Sequence, residues 1–404
     1  MTTPEVVVTG IGCVSALGPD AAAFAASLFS GRCGIGPITR FPAETHRIRI
    51  AAQVDGFPLP GALDGADASR LDRFSQLAVV ASREAVAAAG LTLDAATSAR
   101  TAVLYGTGVG GQESVDAAYH RLYGEGATRV PPLTVPRMMP SAAASHVGLD
   151  LRITGPTLGL TSACASSAHA ICLGTTFLRA GLADVALVGG AEACLTPGSF
   201  RAWEGLRVLA TDTCRPFSAG RGGLVIGEGA ATLVLETAAH AAARGAAPLC
   251  VLAGIGMTSD AHDLVQPSPV GMARAMTLAL ADADLEPGAV DYVNAHGTGT
   301  VPNDAAETAA LRAVFGRHAY DVPVSATKSM TGHLLGASAA LEAVACVCAL
   351  RAGVVPPTLN YLGPDPACDL DYVPHAARAR RIDVAMSNAF AFGGLNAVVV
   401  VRAA

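Results

Sequence analysis

Long apolar runs are missing from this 404-residue chain. About half of its residues are hydrophobic (51%), yet the apolar stretches are broken up well short of a bilayer-spanning length. A membrane span, which needs about 18 to 20 such residues in a row, is therefore not expected. Basic residues are not in excess either: 27 Lys and Arg stand against 33 Asp and Glu, a net charge of −6. That balance gives no electropositive footprint for nucleic acid. The ten cysteines form no C-x-x-C pair, and most lie in apolar patterns such as Ala345-Cys346-Val347-Cys348-Ala349. Reduced, buried thiols in a cytoplasmic protein are expected, not a disulfide framework. The first residues also lack the charged and apolar segments of a secretory signal. Aromatics are sparse (5%) and glycines many (44), which suits close approach of helices to strands.

What is present is alternation. Strand-like runs at 6–9, 102–105, 185–188, 231–235, 290–294 and 397–401 alternate with alanine-rich helical runs at 74–89, 165–180, 271–282 and 338–350. This pattern predicts an α/β protein with strands covered on both faces. The length favours two domains or two fused halves. An echo favours halves: Val7-Val-Thr-Gly-Ile-Gly12 resembles Val251-Leu-Ala-Gly-Ile-Gly256. The expected division is 1–250 and 251–404, packed as one body. Proline-rich 130–140 and 354–360 read as ordered loops.

Several stretches carry candidate chemistry. Gly106-Thr-Gly-Val-Gly-Gly111 satisfies G-x-G-x-x-G after a strand, which would suit a dinucleotide. No second strand ending in Asp or Glu follows at the required distance, so a glycine-rich packing turn is the better reading. Thr161-Ser-Ala-Cys164-Ala-Ser-Ser167 joins the strand-like 157–160 to an apolar-periodic helix. A thiol at a helix start meets free backbone N–H groups and the positive helix end, which favour thiolate and can receive an oxyanion. The competing reading is one more small buried cysteine. Cys172 and His169, farther along the helix, read as scaffold.

Three further segments supply partners for such a thiol. Asn294-Ala-His296-Gly-Thr298-Gly-Thr300 puts a histidine between a strand end and a Gly/Thr turn. Lys328, His333 and Glu342 fall in an otherwise apolar segment, where charges should be paired and a Lys–Glu pair beside a histidine could fix its tautomer. Ser387-Asn388-Ala-Phe-Ala-Phe392-Gly-Gly-Leu-Asn396 reads as a loop between two strands, its paired glycines permitting close backbone approach.

In this order, Cys164, His296, the Lys328–His333–Glu342 segment and Asn-Ala-Phe-Ala-Phe-Gly-Gly resemble the elongating β-ketoacyl-[acyl-carrier-protein] synthases of the thiolase superfamily, end to end. The resemblance implies a thiolase-like α/β fold of two βαβαβαββ halves in a layered αβαβα core. The first half would carry Cys164, and the second His296, Lys328, His333 and the Phe392 loop. It implies decarboxylative Claisen condensation of an acyl thioester on Cys164 with malonyl-carrier protein. His296 and His333 would stabilise the enolate, Lys328 and Glu342 organise the histidines, and the N–H groups of Cys164 and Phe392 hold the oxyanion. Phe392 would also gate the second substrate, while Thr298 and Thr300 would bond the phosphopantetheine arm. Arg70, Arg73 and Arg207 would meet the acidic carrier protein. Asn294, Glu342, Ser387 and Asn388 match positions around a monovalent cation in some relatives; no other cofactor is implied.

The second histidine sets the chain apart from starter synthases, the absence of cysteine from 384–404 from degradative thiolases, and Cys164 from chain-length-factor subunits. Ala391, Leu395 and Gly222 depart from the family pattern, consistent with a specialised polyketide or polyene synthase. The alternatives are a housekeeping fatty-acid synthase acting as a homodimer and a largely structural subunit. The expected assembly is a homodimer or a heterodimer with a cysteine-less chain-length-factor homologue, with no nucleic acid or membrane partner.

Overall fold

Two strands, Val6–Ser15 and Cys250–Ser259, are each crossed by a helix at a distance that only glycine permits. A β-carbon on Gly10 or Gly12 would fall 2.2 Å from the carbonyl oxygen of Ala85 or Ala81, respectively. On Gly254 and Gly256 it would fall 2.2 and 2.1 Å from those of Ala279 and Ala275. The Gly-Ile-Gly echo is thus one packing device used twice, with alanines on the helix matching glycines on the strand.

The computed structural model describes residues 3–57, 63 and 68–404. Its strands are β1 (Val6–Ser15), β2 (Ile35–Pro37), β3 (Ile50–Ala52), β4 (Thr101–Gly106), β5 (Thr157–Leu160), β6 (Val185–Glu192), β7 (Gly229–Thr237), β8 (Cys250–Ser259), β9 (Tyr292–Asn294), β10 (Val324–Ser325), β11 (Val354–Val355), β12 (Arg378–Ala379), β13 (Val384–Ala391) and β14 (Leu395–Arg402). Ten of them form one mixed sheet ordered β10-β9-β13-β14-β8-β1-β7-β6-β4-β5.

That order is two copies of one pattern meeting at β1 and β8, which pair antiparallel through Val6↔Leu252, Val7↔Val251 and Val8↔Cys250. Outward from the join, β7 and β14 continue antiparallel, as do β6 and β13 beyond them. The outer strands β4 and β5, or β9 and β10, run parallel to their neighbours. Each copy reads βαβαβαββ along the chain, its parallel strands joined by helical crossovers.

Helices Ser166–Arg179 and Ser338–Ala352 pack on each other and on strands of both copies, so the sheet closes over them from two sides. Helix Arg73–Ala88 covers β1 and β7, and helix Pro269–Asp282 covers β8 and β14. The layering is helix, sheet, helix, sheet, helix. Helix Ser338–Ala352 is buried almost all round, as a helix apolar on every face must be.

Two local expectations change. The proline-rich stretch 130–140 contains a short helix, Thr134–Met138. The expected loop 387–396 is mostly strand: β13 runs to Ala391, β14 starts at Leu395, and only Phe392–Gly394 turns. All ten cysteines are unpaired, and Cys33 alone is exposed.

Candidate active site

Strand β5 ends just short of a tight turn that presents Cys164. Ser162 donates its N–H to the Ser166 hydroxyl (2.8 Å), which in turn reaches the carbonyl oxygens of Ala163 (2.6 Å) and Thr107 (3.1 Å). The turn holds Ala163 at φ +50°, a left-handed conformation disfavoured for a residue with a β-carbon. Helix Ser166–Arg179 begins immediately after Cys164 and Ala165. Backbone N–H groups of Phe392 and of Cys164 itself bear on the sulfur. The expected lowering of the thiol pKa does not occur: burial pushes it up to about 11, outweighing the opposing effects of Lys328 and the two N–H groups. The resting group is a thiol because the turn lies inside the protein and not at an open helix end.

His333 approaches this sulfur with Nε2 at 3.1 Å. Its Nδ1 accepts the N–H of Leu335 (3.2 Å) and faces the Ser338 hydroxyl (2.8 Å). With Nδ1 accepting, the proton sits on Nε2, aimed at the cavity. Leu335 adopts φ +46° to direct its N–H this way. His296 arrives from the other side, its ring edge-to-face with His333 at 5.4 Å between centroids. The Lys328 ammonium lies 3.3 Å from His296 Nδ1, 2.7 Å from its carbonyl oxygen and 2.5 Å from Glu342 Oε1. The Lys–Glu pair therefore fixes His296, while backbone and Ser338 fix His333. Burial, with Lys328 second, holds both imidazoles well below the usual histidine range, so both are neutral. Cys164 Sγ and one ring nitrogen from each histidine lie within 4.8 Å of one another. Such a cluster could ligate a metal only if both Nε2 atoms gave up their protons beside the Lys328 charge, so hydrogen-bond donation is the chemistry it is built for.

Above the triad, the turn Phe392-Gly393-Gly394 closes one wall of a cavity of about 400 Å³. Phe392 stacks on Trp203, the only tryptophan, with centroids 6.4 Å apart. Thr298 and Thr300 line the same cavity, hydroxyl to hydroxyl at 2.9 Å. Gly222 and Ala391 also form its wall, while Leu395 sits just beyond, half-buried. Arg207 stands exposed on the lining. Arg70 is exposed in a separate groove with Leu71, Val79 and His146. Arg73 is a correction: it is 5% exposed, and its guanidinium grips both carboxylate oxygens of buried Glu228 at 2.8 Å. It closes the core and cannot meet a carrier protein. His169 bonds Ser162 and the Ala165 carbonyl, and Cys172 is core.

Buried oxygens of Asn294 (Oδ1), Glu342 (Oε2) and Asn388 (Oδ1) have no hydrogen-bond partner. Ser387 sits beside Asn388 and pairs in register with Asn294 across β13 and β9. An all-oxygen donor set with one carboxylate fits a hard cation of low charge.

Two carboxylates at the site gave no sequence signal. Glu307 accepts the backbone N–H groups of His296 and Gly297 (2.8 Å each), and burial raises it to about 7. Glu192 fills the glycine turn 106–111 with its own carboxylate, which accounts for the absence of nucleotide context there. Both act on backbone N–H groups, and a single glutamate in an apolar run was the only visible hint.

The family model described as Beta-ketoacyl synthase, N-terminal domain matches residues 3–241, and that described as Beta-ketoacyl synthase, C-terminal domain matches residues 249–362. Nodulation protein E of Rhizobium sp. (strain N33) is 48% identical over 400 residues, covering 98% of this chain and 99% of its own. The 3-oxoacyl-[acyl-carrier-protein] synthase 2 of Synechocystis sp. (strain ATCC 27184 / PCC 6803 / Kazusa) is 40% identical over 406 residues, covering 98% of both chains. The solved ishigamide ketosynthase/chain length factor superposes with a TM-score of 0.96 at 34% identity over the full length of both.

Proposed function

The chain belongs to the β-ketoacyl synthase family and is a condensing acyltransferase, and from that premise we propose that Cys164, His296 and His333 carry its reaction on carrier-protein thioesters. In the first half-reaction the Cys164 thiol displaces the carrier thiol from an acyl thioester. One S–H is exchanged for another, so the high thiol pKa costs nothing at equilibrium. Malonyl-carrier protein then enters through the cavity, its arm bonded by Thr298 and Thr300. The C–C bond to its carboxylate breaks, CO₂ leaves, and the electron pair forms an enolate whose oxygen accepts N–H from both histidines. The enolate carbon attacks the Cys164 thioester. The tetrahedral oxyanion meets the N–H groups of Cys164 and Phe392, and collapse releases the Cys164 sulfur, which regains a proton.

The observation that supports this most is the pair of neutral imidazoles aimed at one sulfur, since neutral N–H donors stabilise an enolate without protonating it. Mass-detected acyl transfer from an acyl-carrier protein tests it. Cys164→Ala should abolish the adduct, and an adduct on another cysteine would sink the assignment. His333→Ala should abolish CO₂ release from malonyl-carrier protein.

Asn294, Glu342, Ser387 and Asn388 would hold a monovalent cation, which would balance the second oxygen of Glu342. Beyond phosphopantetheine on the substrate no cofactor enters. Arg207 at the cavity is our candidate for the acidic carrier protein, with Arg70 secondary. Arg207→Glu should raise the KM for the carrier protein and leave kcat unchanged. The departures Ala391 and Gly222 in the cavity wall favour a specialised polyketide or polyene chain over housekeeping fatty-acid elongation. The second chain is a copy or a cysteine-less homologue, as copurification would separate. Ten unpaired cysteines accord with the cytoplasm.

A further inference from the structure

Glu192 ends β6, is fully buried and touches none of the reacting atoms in the mechanism above. Four groups nevertheless converge on its carboxylate. Oε2 accepts the N–H groups of Gly108 (2.6 Å) and Gly336 (3.0 Å). Oε1 accepts the Thr107 hydroxyl (2.9 Å) and the N–H of Val109 (3.3 Å). Thr107, Gly108 and Val109 belong to the glycine turn of the first half, and Gly336 to the histidine loop of the second. The backbones interlock so tightly that a β-carbon on Gly336 would fall 2.2 Å from the Gly108 nitrogen.

Each arm leads to a different member of the site. Thr107 donates its N–H to Leu160 at the end of β5 and accepts from Ser166, whose hydroxyl also holds the N–H of Ser162 in the Cys164 turn. Gly336 follows Leu335, whose strained backbone gives its N–H to His333 Nδ1. The 3.1 Å contact between Cys164 and His333 spans two halves of the molecule, and this carboxylate is bonded to both sides of it.

We propose that Glu192 is a positioning residue that sets the separation and orientation of Cys164 and His333, tying the nucleophile turn to the histidine loop. The inference rests on the roles given above to Cys164 and His333.

The test uses the full-length protein with acyl- and malonyl-carrier thioesters, following acylation of Cys164 by mass and CO₂ release separately, alongside a thermal midpoint. Glu192→Ala should lower the rates of both steps by roughly 10- to 100-fold with the carrier-protein KM unchanged, as misplaced reacting groups do. Glu192→Gln should rescue most of that loss, since its amide oxygen keeps Gly108 and Gly336 and the Thr107 hydroxyl can turn to accept. Thr107→Val cuts only the arm to the nucleophile turn, so acylation should slow while CO₂ release persists. If Glu192→Ala does not fold, the Gln and Val variants carry the test. Wild-type rates in the folded Glu192→Ala protein, equal slowing of both steps in Thr107→Val, or losses that merely track the folded fraction would overturn the proposal. Failure of the underlying reading shows separately, as acyl transfer that survives Cys164→Ala.

Discussion

Lys328 touches three things at once: the His296 ring, the His296 carbonyl and Glu342. Removing only its charge strands a buried carboxylate, so Lys328→Ala should cost roughly 3–5 kcal/mol in urea unfolding as well as activity. Lys328→Met combined with Glu342→Leu should recover much of that stability, because a buried ion pair is often matched by apolar packing. Activity should stay lost, as His296 Nδ1 no longer has its donor. Recovery of CO₂ release in the double variant would show that the pair is only structural. The histidines set a pH expectation. A lone exposed histidine would begin to protonate near pH 6.5, but burial and Lys328 keep both imidazoles neutral well below that. CO₂ release should therefore show no acid limb centred near pH 6.5, and one that vanished in His333→Gln would contradict the neutral-donor role. Cys164, His296, His333 and Lys328 were legible because each sits in a distinctive local string. Glu192 and Glu307 were not, because their partners are backbone N–H groups, which every residue type but proline provides. Arg73 was misread for a related reason: burial beside Glu228 is set by a tertiary contact, and the local sequence resembles a surface helix start.

Among whole elements, the duplicated strand–helix contact makes a sharp prediction. Gly12→Ala and Gly256→Ala each drive a β-carbon to 2.2 and 2.1 Å from a helix carbonyl. Each should destabilise by about 1–3 kcal/mol or more, by forced displacement of the outer helix. Gly288→Ala, with no neighbour within 4 Å of the added carbon, should stay within about 0.5 kcal/mol of wild type. Equal tolerance at all three positions, measured by urea unfolding, would remove the packing account of the Gly-Ile-Gly echo. Strand–helix alternation was readable from apolar periodicity, and the echo pointed to duplication. Element ends were less readable. The run at 290–294 yields a strand only at Tyr292–Asn294. Conversely β13 extends to Ala391 because hairpin pairing with Leu395 holds it there, and that register is invisible in either strand alone.

Over the molecule as a whole, the sheet has two ends that differ in their cover. At one end β10 is buried, with the Val324 N–H donated to the Asp371 carbonyl. At the other, β5 is open: Leu158 is 44% exposed, and nearby apolar side chains such as Leu149 and Val135 are exposed too. An apolar strand edge left unpaired invites association, so β5 is where the second chain proposed above would dock. The same strand runs directly into the Ser162–Cys164 turn, and Leu160 accepts the Thr107 N–H at 3.0 Å. Pairing at β5 should therefore stiffen the turn that holds the nucleophile. Leu158→Lys puts a charge into that contact and should shift sedimentation from two chains towards one. Acylation of Cys164 should fall with it, and dilution of the wild-type protein should produce the same coupled loss. A variant that sediments as a single chain yet acylates at the wild-type rate would separate assembly from catalysis, and β5 would then be an interface without a part in the chemistry.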